Sequence, residues 1–156
     1  MTPAEGFVIE LQGCQKRFNT TISIFEESDA SFAPNPGLYT VAGHIAHTAD
    51  SVDWFVEGAF GKGWDMDFEA MIARAKAATN LAESVAWLDR AFANAIDVVG
   101  HLSEAELFAP ITDKRIMEGA PRSSVISGIT DHTAHHRGSL AVYARLIGKE
   151  APMPYA

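Results

Sequence analysis

Cysteine is nearly absent: Cys14 is the only one in 156 residues. An intramolecular disulfide is therefore excluded, as is a thiolate-rich zinc site within one chain. Basic charge is scarce too, with twelve Lys and Arg against twenty Asp and Glu and a formal net charge of -8. That balance argues against a nucleic-acid partner, which needs cationic patches to neutralise phosphates. It also disfavours docking on an anionic membrane. No apolar run approaches the roughly 18 residues of a membrane-spanning helix. The opening Met1-Thr2-Pro3-Ala4-Glu5-Gly6 lacks the basic-then-apolar pattern of a secretion signal. The expectation is a cytoplasmic, soluble chain folding as one domain over 1–156, with an ordinary hydrophobic fraction of 47%.

What is present is helical periodicity. Phe7, Leu11, Cys14, Phe18, Ile22 and Phe25 step by three or four and form one apolar stripe before the turn-rich Ala33-Pro34-Asn35-Pro36-Gly37. Cys14 lies on that stripe and reads as core filler rather than a reactive thiol. A second helix is expected from Thr40, whose hydroxyl can cap it, to Gly58 or Gly61, with Val41, Ile45, Val52 and Val56 as its stripe. Phe68, Met71, Ile72 and Ala75 predict a short helix, expected to lie across a mouth of the fold. Leu81, Val85, Leu88, Phe92, Ile96 and Val99 mark a third long helix that Gly100 helps to end, and Ser103-Glu104-Ala105-Glu106 has the form of a capping box. The stretch from Pro110 to Pro121 reads as a loop or small hairpin. A last helix is expected from Ser123 or Ser124 to Gly148, followed by a proline-broken tail. With no repeats and no strand alternation, the fold class is all-α, a four-helix bundle.

The last helix carries the chemistry. Its apolar line, Val125, Ile129, Leu140, Tyr143 and Ile147, includes His132 and His136 in the middle, within about 80° of every member. One core histidine is ordinarily neutral and hydrogen-bonded to the protein. Two at i and i+4 on one stripe would each need a buried partner, and one divalent ion satisfies both. His135 sits about 60° round the helix from His132 and competes for the role, but the i, i+4 pair has the better stripe, and His135 is expected to face a neighbouring helix or the rim. On the second helix the choice between His44 and His47 is open on geometry alone. His47 shares its line with Asp50 and Trp54, and Asp50 is the better functional candidate of the Asp50, Asp53 pair. His101 suits a helix C-terminus. Asp131 is a possible orienting group for His132, and Arg137 is expected in a salt bridge unless it faces the mouth of the site. No phosphate-loop, nucleophile-elbow, His-Glu-x-x-His or Glu-x-x-His pattern occurs.

Two segments carry a resemblance. Tyr39-Thr40-Val41-Ala42-Gly43-His44-Ile45-Ala46-His47-Thr48-Ala49-Asp50-Ser51 resembles the aromatic-Thr-Val…His-x-Ala-Asp-Ser helix of the DinB-like (DinB/YfiT) family of metal-dependent enzymes. His132-Thr133-Ala134-His135-His136-Arg137-Gly138-Ser139-Leu140 is similar to its His-x-x-His-His-Arg-Gly-Gln-Leu signature, with Ser139 in place of Gln. The resemblance implies an up-down-down-up bundle, frequent homodimers, and a three-histidine site of His47, His132 and His136 for a divalent metal ion such as zinc or nickel. It decides His47 over His44. Relatives of this kind include maleylpyruvate isomerases and transferases that use low-molecular-weight thiols such as bacillithiol, mycothiol or glutathione. The implied function is a thiol-dependent S-transferase or hydrolase-like activity on a small molecule. The alternatives are a non-catalytic metal- or ligand-binding bundle of a stress response, and a structural dimer with vestigial histidines.

Overall fold

A computed structural model describes residues 1–155. Six α-helices account for most of it: α1 (Pro3–Ile22), α2 (Val41–Phe60), α3 (Phe68–Ala77), α4 (Leu81–His101), α5 (Glu104–Phe108) and α6 (Ser124–Leu146). Each long helix starts where side-chain chemistry dictates. Thr2 and Glu5 form a capping box ahead of Pro3 at the first helical position of α1. The Thr40 hydroxyl accepts the Gly43 amide at the start of α2. Asn80 caps α4 through the Glu83 amide, and the Glu27 carboxylate accepts the Leu81 and Ala82 amides of the same end. That places negative charge where the helix dipole favours it.

The four long helices form a ring in which α1 touches α4 and α6, and α2 touches the same two. Side-chain pairs give the directions. Glu10 meets Thr130, and Arg17 and Arg137 line one cavity, so α1 and α6 run parallel. Gln15 and Asn19 both bond Asp89 while Gly100 lies by Val8, so α1 and α4 are antiparallel. His44 contacts Tyr143 and Phe55 contacts Gly128, which makes α2 antiparallel to α6. The order is up-down-down-up, as the resemblance implies. Because α2 and α4 are parallel neighbours, the chain between them must return along the bundle. It does so through α3, which packs along α2 instead of lying across a mouth.

One core fills the ring, built on Leu11, Phe18, Ile45, Leu88, Phe92, Ile129 and Leu140, all at most 1% exposed. Gly58 permits the close approach of the Trp64 indole, which would lie 2.2 Å from an added Cβ. Gly100 lies inside α4 and does not end it; the helix runs on to His101. The Pro110–Pro121 stretch is a loop closed by one isolated bridge, and no strand forms among the described residues. No helix there is long and apolar enough to cross a membrane.

Candidate metal centre

The centre lies between the first turns of α2 and the middle of α6, near the 23–40 connection. The i, i+4 spacing puts His132 and His136 one turn apart on the α2-facing side of α6. From α2, His47 completes a cluster. One ring nitrogen from each of His47, His132 and His136 lies within 4.8 Å of the other two. Nε2 of His132 and Nε2 of His136 stand 3.2 Å apart. Two nitrogens bound at about 2.1 Å in tetrahedral array would be about 3.4 Å apart, so this pair needs little adjustment to share an ion. His47 Nδ1 is buried and has no hydrogen-bond partner. Three converging imidazoles, one of them carrying a buried nitrogen that no protein group satisfies, are a donor set that fits a divalent cation of borderline softness.

His44, the residue that geometry left unresolved in the sequence, is buried but outside the triad. Its Nδ1 lies 3.0 Å from His136 Nδ1, and its Nε2 lies 3.2 Å from Tyr143 Oη. The Tyr143 hydroxyl donates to the Tyr39 carbonyl at 3.0 Å. These contacts fix the protons by elimination. A carbonyl can only accept, so the one proton of Tyr143 is committed to Tyr39. Tyr143 can then only accept from His44 Nε2–H, which leaves Nδ1 of neutral His44 as an acceptor. His136 must donate to it from Nδ1–H. Its remaining nitrogen, Nε2, therefore carries a lone pair turned toward His132. A ligating histidine usually has its second nitrogen held in this way.

Electrostatics support neutral rings. His136 is pushed down to about 2, by burial first and then by His132, His47, His44 and His135. His44 and His132 are lowered to about 4, again mainly by burial, with His47 the next cause for each. Burial also lowers His47, against a raising influence from Asp50. Neutral imidazole is the form that binds a metal ion.

The other sequence candidates fall outside the triad. The Asp50 carboxylate is buried and accepts from both Nε and Nη2 of Arg74 at 3.2 Å, so it clamps α3 onto α2 beside His47. Asp53 accepts the Trp87 indole N–H, and burial raises its pKa. The Trp54 indole donates to the Asp65 carbonyl. His135 and Asp131 are exposed, and His101 bonds the Asp97 carbonyl at the end of α4. Arg137 forms no salt bridge among the described residues; its Nη2 donates to the Tyr155 hydroxyl at 2.8 Å. The expected ion pair is thus replaced by a tyrosine of the tail.

Tyr143 is the functional side chain that periodicity undervalued. It stands seven residues after His136 on the same stripe and was counted there as apolar, yet a buried tyrosine must find a partner for its hydroxyl. Tyr39 serves twice, through its carbonyl and through its ring, which stacks on His47 at 5.0 Å between centroids. A cavity of about 290 Å3 opens beside them, lined by Gly37, Leu38, Tyr39, His44, Ile72 and Lys76. A larger one, about 570 Å3, lies at the α3–α4 junction, and no histidine lines it. The smaller one reaches the site through Tyr39 and His44; none of the three triad histidines lines either cavity.

None of the curated proteins is a match for the sequence. The family model described as the DinB superfamily matches residues 10–140, which takes in α2, the His132–His136 segment and every side chain of the triad. The chain belongs to the DinB superfamily.

Proposed function

We propose that the protein is a divalent-metal-dependent enzyme acting on a small molecule, most simply a thiol-dependent S-transferase. His47, His132 and His136 would hold the ion, zinc or nickel being the natural candidates for imidazole ligands. The observation that carries the reading is the convergence of three neutral ring nitrogens within 4.8 Å at the wall of a bundle core. Such an ion supplies Lewis acidity, turning a water or thiol into a nucleophile at neutral pH.

The rest of the reading concerns the chain's own groups. Tyr39, Tyr143 and His44 keep the His136 proton on Nδ1 and leave Nε2 free to ligate. Three histidines supply no negative charge, so a cationic centre is retained that favours an anionic thiol or substrate. The adjoining cavity offers apolar walls in Leu38 and Ile72, 51% and 41% exposed, and an ammonium in Lys76. A substrate with an apolar body and one negative group matches that lining. The Thr48 and Ser51 hydroxyls bond back to the carbonyls of His44 and His47, which leaves neither free as a nucleophile. The proposal extends to a cytoplasmic homodimer. Val142 and Leu146, one turn apart on α6 and 51% and 59% exposed, offer an apolar strip to a second copy.

The test is turnover of an electrophilic substrate panel by metal-loaded protein with bacillithiol, mycothiol or glutathione. Thiol-dependent product formation that chelation abolishes is the expected result. Stoichiometric metal with no turnover and no bound thiol would instead leave a metal-binding bundle without catalysis.

A further inference from the structure

The α1–α6 seam contains a second polar cavity, separate from the histidine triad. Its α6 wall is Thr130, Thr133, Ala134 and Arg137, roughly 130° around the helix from His132 and His136 by the 100° step. From α1 come Cys14 and Arg17, and Tyr155 of the tail closes one side. The volume is about 190 Å3. That is roughly six waters' worth, enough for a tetrahedral oxyanion with a short substituent.

Two guanidinium groups share this small space, and neither is in an ion pair among the described residues. The nearby acid on α1 is Glu10, which is exposed, does not line the cavity and takes the Thr130 hydroxyl at 3.4 Å. Glu150 lines a different cavity, which it shares with Arg145 and with Arg137, and it forms no ion pair with either. The Cys14 thiol adds no counter-charge, because burial favours its protonated form.

Arg137 spends Nη2 on the Tyr155 hydroxyl, and its ring contact with Tyr155 at 5.1 Å holds the guanidinium plane. Nη1 of the same group is buried with no partner. Thr133 is 1% exposed, and its hydroxyl lies against the Cys14 thiol at the floor of the seam. Two like charges and an unpaired guanidinium nitrogen around one cavity are costly without an anion and favourable with one. Paired guanidinium forks match the oxygens of phosphate or carboxylate.

We propose that Arg17, Arg137 and Thr133 form a binding site for a small oxyanion, phosphate or carboxylate in type, between α1 and α6. Tyr155 is the positioning residue that holds the Arg137 guanidinium at the cavity wall. The site stands independently of the metal reading, since no residue of the triad lines it.

Calorimetric titration of the full-length chain with inorganic phosphate, at ionic strength held constant with chloride, tests this directly. The wild type should show saturable binding, and Arg17→Gln and Arg137→Gln should each weaken it at least tenfold. Thr133→Val, which keeps the shape of the side chain, should weaken it severalfold. Arg17 stands on α1, which carries none of the triad, so the loss in Arg17→Gln reports on the seam and not on phosphate bound at the histidines. An acetate series run in parallel separates the two sources: saturation by phosphate only marks a phosphate site, and comparable saturation by acetate marks a carboxylate site. If Arg137→Gln fails to fold, Arg17→Gln decides. Affinity equal in wild type and Arg17→Gln, or no saturation beyond the chloride blank, would overturn the proposal.

Discussion

Replacing Tyr143 by Phe removes one oxygen from a side chain that is only 5% exposed, and with it both ends of the proton relay. The hydroxyl's bond to the Tyr39 carbonyl at 3.0 Å is lost, and so is the acceptor that His44 Nε2 meets at 3.2 Å. Tyr39 is half-buried and its carbonyl can recover a water, whereas the His44 ring is buried and its N–H is left without a partner. One lost bond and one stranded donor come to about 2 kcal/mol, within the 1–3 kcal/mol range for unsatisfied buried groups. For a chain of this length that is a fall of roughly 4–8 °C in Tm. The second effect is more specific. With no acceptor at Tyr143, His44 can move its proton to Nδ1, which faces His136 Nδ1. His136 must then carry its proton on Nε2, the nitrogen turned toward His132. Metal affinity should drop by about 10- to 100-fold, the usual consequence of losing a group that orients a ligand. Competition with a chromophoric chelator measures it, and a urea melt of the metal-free protein measures the stability. An affinity within twofold of wild type would refute the relay, even if the protein were less stable.

Other outcomes follow from the same structure. Metal-free protein should lose stability as the pH falls below about 6.5, where the histidines of the unfolded chain begin to bind protons while the buried ones do not. His44 and His132 titrate at about 4 and His136 at about 2 when folded, so the unfolded state holds more protons throughout the interval from 6.5 to 4. Each ring contributes at most about 1.4 kcal/mol per pH unit there, less for half-buried His132, and urea melts from pH 4.5 to 7.5 that stay flat would contradict it. Adding zinc or nickel at a hundred times its Kd should stabilise the fold by about 2.7 kcal/mol, or raise Tm by roughly 5–10 °C, with full reversal by a chelator. Gly58→Ala should cost about 1–3 kcal/mol in chemical denaturation, because the new methyl meets the Trp64 indole ring. A neutral result would mean that the 61–65 loop moves aside at no cost.

The bundle was legible because its helices announce themselves. Caps at Thr40 and Ser103 and stripes of apolar residues three and four apart are local signals, and they survive in the structure nearly residue for residue. The pair His132 and His136 was legible for the same reason, being polar on an apolar line. His47 was not. α2 is surrounded by α3, α4 and α6, and through its first three turns every residue except His47 is buried. A helix buried on all sides has no polar face from which to measure an angle. The family motif supplied what periodicity could not. The relay through His44 and Tyr143 was invisible because it joins residues 99 apart in sequence and depends on where one hydroxyl proton points. Arg137 misled in the opposite direction: a salt bridge is the usual fate of a surface arginine, and here it meets Tyr155 from the tail.

The central claim is that three named nitrogens hold one ion. Metal content by mass spectrometry, on protein purified without a nickel column, tests it most directly across the wild type and single His→Ala variants. One ion per chain is expected in the wild type and in His135→Ala, with loss in His47→Ala, His132→Ala and His136→Ala. Stoichiometric metal that persists in His136→Ala would contradict the site.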